Sequence, residues 1–275
     1  MDKDHLQALV SAPYELKLAR LDAELQRMES VLVAFSAGVD SSVLLHAAQR
    51  VLGDRARGFI ADSPSLPRAE LEAARALAAA FGCELDVVQT HELEQEVYAV
   101  NDSSRCYHCK GALFVAMARR QEELGFARLA FGEVVDDLSD ERPGALAASE
   151  AGVAAPLSAA GFTKEDVRRY AREYGLGVEE KPSSACLSSR IPRGTRVTRA
   201  RLSQVEAAEA RLRALGLRQL RVRHLGARAR VEVGADEEEF ARANRERLER
   251  ALEAEGFAGA EWGVYKSPGG LPSPG

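Results

Sequence analysis

A polar loop lies between an apolar strand-like segment and an apolar helical segment in the stretch VLVAFSAGVDSSVLLHAA, residues 31–48. The loop and the start of the helix carry hydroxyls and a glycine: Ser36, Gly38, Ser41 and Ser42. A helix N-terminus offers unpaired N–H groups and a positive dipole end, and glycine lets the backbone approach an anion closely. We therefore expect a phosphate-binding turn, with an ordinary strand-to-helix turn as the alternative. Neither a GxxxxGKS nor a GxGxxG motif is present, which argues against a Walker loop and a dinucleotide site.

The cysteines suggest metal or sulfur chemistry, because four in 275 residues are too few for a disulfide scaffold. Cys106 and Cys109 form a CxxC motif, for which an iron–sulfur ligand pair, a redox pair, a zinc site and inert thiols are the alternatives. Zinc would need a fourth ligand from Cys83, His108 or His91. A redox pair should lie at a strand-to-helix turn. Cys83 begins an apolar strand-like segment, so we expect it in the core.

Cys186 lies in the segment KPSSACLSSRIPRGT, between Pro182 and Pro192, which favours a loop. Lys181 precedes it by five residues and Arg190 follows it by four. A partly exposed, electropositive setting favours the thiolate, which is the nucleophilic form of cysteine. We therefore expect Cys186 to be a reactive thiol, with a small buried apolar side chain as the alternative.

Arginines alternate along the segment LRVRHLGARARVEV. Arg221 and Arg223 share one face of a strand, and the same face of the neighbouring strand carries Arg228, Arg230 and Glu232. Guanidinium forks suit carboxylate and phosphate groups. A solvated polar face of a half-buried sheet is the alternative.

Two sets of carboxylates are candidates for binding a cation or a substrate. Glu209 flanks the apolar stripe of a helix, and we expect it to be reachable from a cleft without being buried. Asp136, Asp137 and Asp140 follow a strand in a polar loop and are candidate magnesium ligands, with a solvated loop as the equal alternative.

The elements that position these residues follow from periodicity. Strands at 31–35, 56–63, 83–90 and 127–134 alternate with helices over about 180 residues, which predicts an α/β fold with a parallel sheet. A helix capped by Thr163 follows a polar loop at 135–144. After residue 190 we expect a small α+β domain with a helix at 199–215, two antiparallel strands, a helix at 236–255 and a last short strand. The expected domains are 13–190 and 191–266, and the Gly/Pro-rich residues 267–275 form a disordered tail.

Composition limits the classes of function. With 46% hydrophobic residues, the chain can bury one large core or two domains. The net charge of −5 indicates no chain-wide basic surface that would bind nucleic-acid phosphates, so we expect no nucleic-acid partner. No apolar run approaches the roughly 18 residues of a membrane span, and the start MDKDHLQALV lacks signal-peptide features. We therefore expect a cytoplasmic protein without a membrane partner.

Separate motifs in consistent order carry a family resemblance. SAGVDSS resembles the SGGxDS loop of the N-type ATP pyrophosphatases, which adenylate substrates and release pyrophosphate; Ala37 replaces the second glycine. ADSPSLPRAELEAARALAAAFG, NDSSRCYHCKGALF, DDLSDERPG and KPSSACLSSRIPRGT together resemble the LarE family, ATP-dependent sulfur transferases of nickel-pincer-nucleotide biosynthesis. The resemblance runs from about residue 13 to about residue 265 and implies an adenine nucleotide α-hydrolase-like fold.

The resemblance implies a substrate, cofactors and roles for residues. The substrate would be pyridinium-3,5-biscarboxylic acid mononucleotide, whose carboxylates become thiocarboxylates for the nickel cofactor of lactate racemase. ATP with Mg²⁺ would activate them, and Asp40 would help to place the Mg²⁺. The residues implied to bind ATP are Ser36, Ala37, Gly38, Val39, Asp40, Ser41, Ser42 and Asp62. Those implied to bind the substrate are Arg190, Arg221, Arg223, Glu209 and Glu232.

The resemblance leaves two sources of sulfur open. In one, Cys186 gives up its own sulfur and becomes dehydroalanine. In the other, Cys106, Cys109 and Cys186 hold a [4Fe-4S] cluster whose fourth iron carries an extra sulfide. The implied partners are a sulfide or sulfur donor, a downstream nickel-inserting enzyme and further copies of the chain in a homo-oligomer.

Three other functions remain alternatives. Thiolation of a transfer RNA base uses the same loop, but the acidic charge and the lack of an RNA-binding module oppose it. An ammonia-using ligase would leave the three cysteines without a purpose. A nucleotide sensor without chemistry is mildly favoured by Ala37 and disfavoured by the cysteines.

Overall fold

The computed structural model describes residues 3–139, 143–182 and 185–265. Asp140 and the expected disordered tail, 267–275, lie outside the described residues. The chain divides into two compact units. The first comprises Met1–Glu92 with Ser104–Ser184, and the second comprises Leu93–Ser103 with Ala185–Gly275.

The secondary structure follows the predicted order. The strands are β1 Val31–Ala34, β2 Ala56–Asp62, β3 Leu85–Gln89, β4 Arg128–Phe131, β5 Leu220–Leu225, β6 Arg228–Val233 and β7 Ala260–Val264. The helices are α1 Lys3–Val10, α2 Tyr14–Arg27, α3 Val39–Leu52, α4 Arg68–Ala80, α5 Glu96–Ala99, α6 Arg105–Leu124, α7 Pro143–Glu150, α8 Pro156–Ala159, α9 Lys164–Glu173, α10 Arg199–Ala214, α11 Glu238–Ala243 and α12 Arg245–Ala254. No helix of the described residues is long and apolar enough to cross a membrane.

The first unit contains a four-stranded sheet in the order β3-β2-β1-β4, and every neighbouring pair is parallel. The predicted α/β fold with a parallel sheet is therefore confirmed. All of β1 is buried, because helices cover both of its faces. Val31 and Val33 pack into the core that includes α3, whereas Leu32 and Ala34 pack with side chains of α6 on the other face.

Two predicted features of the first unit can be compared with the structure. Thr163 caps α9 as expected: its hydroxyl accepts from the Asp166 N–H at 3.2 Å, and Asp166 Oδ2 accepts from the Thr163 N–H at 2.8 Å. The segment expected to be only a polar loop is more regular. Val135–Ser139 form a 3₁₀ helix and α7 begins at Pro143, because proline suits a first helical position and alanines follow it.

The second unit has a three-stranded sheet in the order β5-β6-β7. β5 and β6 are antiparallel as predicted, and β7 runs parallel to β6. The single helix expected at 236–255 is wrong, because the chain breaks at Asn244 between α11 and α12. The Asn244 side-chain amide donates to the Phe240 carbonyl at 2.9 Å, and such local bonds compete with helix continuation.

A segment from the middle of the chain also belongs to the second unit. Asn101 has a positive φ of 62°, and its side-chain amide donates to the carbonyls of Ile191, Pro192 and Thr195 at 3.2, 2.8 and 2.9 Å. Tyr98 shares a 2.6 Å hydrogen bond with Ser188. These buried bonds fix the chain that follows Cys186.

Candidate functional site

The loop between β1 and α3 forms a turn held by its own hydroxyls. Ser41 Oγ accepts from the Ser36 N–H at 3.2 Å and donates to the Gly38 carbonyl at 3.1 Å. The hydroxyls of Ser36 and Ser41 are 3.1 Å apart. Gly38 is the N-cap of α3, and within the described residues no side chain makes a capping hydrogen bond to this helix. The Gly38 N–H donates to Ser36 Oγ at 3.4 Å. Ser42 is fully buried, and its hydroxyl has no hydrogen-bond partner among the residues that the structure describes.

Ala37 adopts the left-handed conformation that the glycine of the resembling pattern would adopt more easily. Its φ is 56°, and its methyl group is fully buried. A left-handed L-residue costs roughly 1–2 kcal/mol, which is offset here in part by burial of the methyl group at about 0.8 kcal/mol. The turn therefore keeps its shape with alanine. The Lys181 ammonium donates to the Ala37 carbonyl at 3.0 Å and to Glu70 at 2.7 Å.

Gly132, directly after β4, lets the chain pass against the first turn of α3. A Cβ at this position would lie 2.8 Å from the Ser41 nitrogen and 2.9 Å from the Asp40 carbonyl carbon. Real Cβ atoms do not approach backbone this closely, so only glycine fits without movement. The sequence signal for this contact is the glycine that follows the strand in AFGEV.

A lysine that the sequence analysis also missed bridges two predicted carboxylates. Lys164 Nζ donates to Asp40 Oδ2 at 2.6 Å and to Asp137 Oδ2 at 3.1 Å. Its backbone N–H donates to Asp136 at 3.0 Å. Burial lowers the pKa of Lys164, but the hydrogen bond to Asp40 and the charges of both carboxylates outweigh burial and raise it. Asp40 and Asp137 thus share the Lys164 ammonium in the first unit, whereas Asp136 binds the Lys164 backbone.

Asp62 lies at the carboxyl end of β2, where ligands of parallel sheets bind. Its carboxylate pairs with Arg68 at 2.5 Å, and Arg68 also donates to the Ser63 carbonyl at 2.9 Å. Beside it, the buried hydroxyls of Ser63 and Ser65 are 2.8 Å apart. The residues after β2 therefore form an ordered polar edge.

Cys106 and Cys109 lie at the start of α6 in the first unit. Cys106 is exposed and Cys109 is half-buried. Spacing by three residues puts them on one face of the helix. Lys110 lies close to both thiols; burial lowers its pKa, while the charges of the thiolates and of Glu133 oppose the shift. The preceding element is the short helix α5 rather than a strand, so the structure does not meet the expectation for a redox pair.

The described residues contain no group of three or more His, Cys, Asp or Glu side chains arranged to hold a metal ion. Cys83 is buried in the core as predicted, and burial raises the pKa of its thiol to about 11.

Cys186 lies in the second unit, half-buried, at the start of a 3₁₀ helix that spans Leu187–Arg190. Its carbonyl accepts from the Ser189 N–H at 3.0 Å, the Ser189 hydroxyl at 2.8 Å and Arg190 Nη1 at 3.1 Å. Three donors on one carbonyl fix the backbone that carries the thiol. Lys181, expected near this thiol, instead has its ammonium on Glu70 and Ala37.

Glu209 is buried, with 2% of its surface exposed, so the expectation of an unburied carboxylate is wrong. Arg190 Nε donates to Glu209 Oε1 at 2.9 Å, and Arg213 Nη2 donates to Oε2 at 3.1 Å. The Val222 N–H donates to Oε1 at 3.1 Å. A helix carboxylate faces inward here because Arg190, itself buried, supplies the opposite charge.

The arginines of β5 form a cationic cluster with Arg190. Arg223 makes a bidentate pair with Glu232 at 2.8 and 2.9 Å and donates to the Ser189 carbonyl at 3.3 Å. The Arg221 guanidinium lies 4.5 Å from the Tyr265 ring centre and has no ion pair within the described residues. Burial, and then the positive charges of Arg190 and Arg223, lower the pKa of Arg221. This buried guanidinium is therefore suited to an anionic ligand.

The predicted site residues fall into two groups. The first unit brings together the loop residues 36–42, Asp62, Asp136 and Asp137, and it also carries the CxxC pair. The second unit brings together Cys186, Arg190, Arg221 and Arg223 with Glu209 and Glu232.

Comparison with known proteins gives relatives that align with most of the chain. The pyridinium-3,5-bisthiocarboxylic acid mononucleotide synthase of Lactiplantibacillus plantarum is 36% identical over 218 residues, 79% of this chain and 79% of the relative. An uncharacterized protein of Synechocystis sp. is 39% identical over 219 residues, 80% of this chain and 82% of the relative. A protein of Methanocaldococcus jannaschii is 25% identical over 226 residues, 80% and 85% of the two chains. No family model matches the chain.

Proposed function

This chain belongs to the LarE family of sulfur-transferring enzymes, and from that premise we propose that it thiolates pyridinium-3,5-biscarboxylic acid mononucleotide at the expense of ATP. The observation that carries the proposal is the arrangement of the second unit, in which Arg190 holds the Cys186 backbone and belongs to the same cluster as Arg221 and Arg223. A sulfur-bearing residue beside a cluster of guanidiniums suits an anionic acceptor of sulfur.

The first step activates a carboxylate, which is a poor electrophile. A carboxylate oxygen attacks the α-phosphorus of ATP and the bond from this phosphorus to the α,β-bridging oxygen breaks. Pyrophosphate is released, and an acyl adenylate remains. The N–H groups at the start of α3 and the hydroxyls of Ser36 and Ser41 would bind the phosphates. Mg²⁺ would supply neutralising charge, and the carboxylates of Asp40 and Asp137 fit it because they already share a cation, the Lys164 ammonium. The Lys164 ammonium would then interact with the phosphates.

The substrate carries two carboxylates and a phosphate, so its binding residues should be cationic. Arg221 is assigned the phosphate because it is buried and has no carboxylate partner in the described part of the chain. Arg223 is positioned by Glu232, and Arg190 by Glu209. Those two carboxylates therefore orient guanidiniums in this proposal.

The second step delivers sulfur to the acyl carbon and releases AMP. In the sacrificial route the Cys186 thiolate displaces AMP and forms a thioester. Loss of the Cys186 α-proton and cleavage of its Cβ–S bond then leave a thiocarboxylate and dehydroalanine.

The other route delivers sulfide repeatedly. A [4Fe-4S] cluster held by Cys106, Cys109 and Cys186 would supply the sulfide, and the i, i+3 placement of the first two thiols on α6 fits two ligands of one cluster. We propose that a sulfide or sulfur donor reloads the enzyme, that a nickel-inserting enzyme consumes the product, and that the chain works as a cytoplasmic homo-oligomer.

The test is an assay of AMP, pyrophosphate and thiocarboxylate with the substrate and MgATP, using protein purified without oxygen. All three products should form. Cys186→Ala should release pyrophosphate and form the acyl adenylate, which yields AMP only by hydrolysis, and it should form no thiocarboxylate. Mass spectrometry then separates the two sulfur routes, because only the sacrificial route leaves Cys186 lighter by H₂S. Binding of ATP without any product would overturn the proposal and indicate a nucleotide sensor.

A further inference from the structure

A small cavity in the second unit lies at the edge strand β7, near the junction of α11 and α12. Its volume is about 110 Å³. The apolar part of the lining is Val233, Ala241 and Gly263, and the polar part is Glu238, Arg242, Arg245 and Trp262. None of these residues belongs to the ATP-binding or sulfur-transfer groups described above.

Arg245 is held in place without using its hydrogen-bonding capacity. Its guanidinium lies 4.5 Å from the centre of the Trp262 ring, a cation–π arrangement. Within the described residues its one ion pair, Nη1 to Glu249 Oε1, is 3.7 Å long, which is too long for a hydrogen bond. A stacked guanidinium still offers its in-plane N–H groups to an acceptor.

A second guanidinium lines the cavity, because Arg242 also belongs to the lining and makes no ion pair within the described part of the chain. The Trp262 ring lines the cavity and stacks against the Arg245 guanidinium, while its indole nitrogen is buried. A guanidinium can only donate hydrogen bonds, so the ligand atoms that bind it must be acceptors.

The charge of the lining and the size of the cavity further restrict the class of ligand. Glu238 cancels one of the two positive charges, so the lining as a whole carries about one positive charge and favours an anion. A volume of about 110 Å³ exceeds the roughly 10–15 Å³ that one water needs, so the cavity has room for a small oxyanion.

We propose that Arg242, Arg245 and Trp262 form a phosphate-binding subsite, separate from the proposed active site. The phosphate group comes either from free inorganic phosphate or pyrophosphate, or from the end of a phosphate ester whose remaining part stays outside the cavity. The guanidiniums of Arg242 and Arg245 donate to its oxygens, and the Trp262 ring positions Arg245.

The chain offers a direct probe, because Trp262 is its sole tryptophan. We would titrate phosphate, pyrophosphate and AMP separately at constant ionic strength and follow Trp262 fluorescence, with calorimetry as a second measurement. A saturable change is expected with at least one of them, and Arg242→Gln and Arg245→Gln should each weaken binding at least tenfold. Saturation by phosphate or pyrophosphate identifies the free anion, whereas saturation by AMP alone identifies the ester.

Matched variants test whether the signal belongs to this cavity. Arg250→Gln removes an exposed arginine of the same helix outside the lining and should leave binding unchanged. Arg245→Lys keeps the charge and provides a test if the Arg245→Gln variant does not fold. It should bind the anion more weakly than wild type. A linear response equal to that of sodium chloride, or unchanged affinity in both glutamine variants, would overturn the proposal. Neither result depends on ATP turnover, so this experiment tests the subsite independently of the proposed function.

Discussion

Lys164 Nζ lies 2.6 Å from Asp40 Oδ2, so a lysine from the first residue of α9 neutralises the aspartate at the start of α3. The same ammonium reaches Asp137, which is 7% exposed. A half-buried carboxylate and a buried one therefore share one ammonium in the first unit.

Lys164→Met should tighten Mg²⁺ binding and slow adenylation. Removal of the ammonium leaves Asp40 and Asp137 without their cation, so calorimetry should show at least threefold tighter Mg²⁺ binding. Loss of the charge that would meet the phosphates should lower pyrophosphate release about tenfold or more. Lys164→Arg, which keeps the charge, is the control. If neither Mg²⁺ affinity nor pyrophosphate release changed, Lys164 would have no role at the proposed cation site.

Gly132→Ala should distort the turn between β1 and α3, which is proposed to bind ATP. The added Cβ would meet backbone atoms of Asp40 and Ser41 below 3.0 Å, so the start of α3 must move, at a cost of about 1–3 kcal/mol. ATP affinity by calorimetry should fall at least tenfold. Gly111→Ala on α6 is the matched control, because its Cβ would meet nothing within 4 Å and alanine favours a helix. Equal behaviour of the two variants would contradict the close approach.

Arg221→Gln should weaken the substrate and spare ATP. The KM for the mononucleotide should rise at least tenfold, while the KM for ATP stays within twofold, because this guanidinium is assigned to the substrate phosphate. Arg228→Gln, on the exposed start of β6, provides the control. A fall in kcat with an unchanged substrate KM would contradict the assignment of Arg221 to substrate binding.

The thiol of Cys83 should make stability depend on pH. Its pKa is raised from 9.0 to about 11, so the folded state favours the neutral thiol. A raised pKa gives stability that is present below pH 9 and lost as the pH rises toward 11, by about 3 kcal/mol in all. Denaturant unfolding of wild type and Cys83→Ala at several pH values measures this, because other titrating groups are common to both. A stability difference that stayed constant from pH 8 to pH 11 would contradict the burial of this thiol.

The sequence by itself determined the parallel sheet and the antiparallel pairing of β5 with β6. These features depend on local patterns: apolar periodicity fixes strands and helices, and alternation puts Arg221 and Arg223 on one face of β5. The register in the structure then pairs Arg221 with Glu232 and Arg223 with Arg230. The residues that precede and cap α3 and α9 are likewise local signals.

Only the tertiary structure decided which charges meet. Lys164 is 124 residues from Asp40, and Glu209 turns inward because Arg190 and the Val222 N–H satisfy it. The break at Asn244 and the fit of Gly132 against α3 likewise depend on atoms whose positions no periodicity specifies. Electrostatic pairing and close packing act through space, so a side chain's partner and burial follow from the fold and not from its neighbours in the sequence.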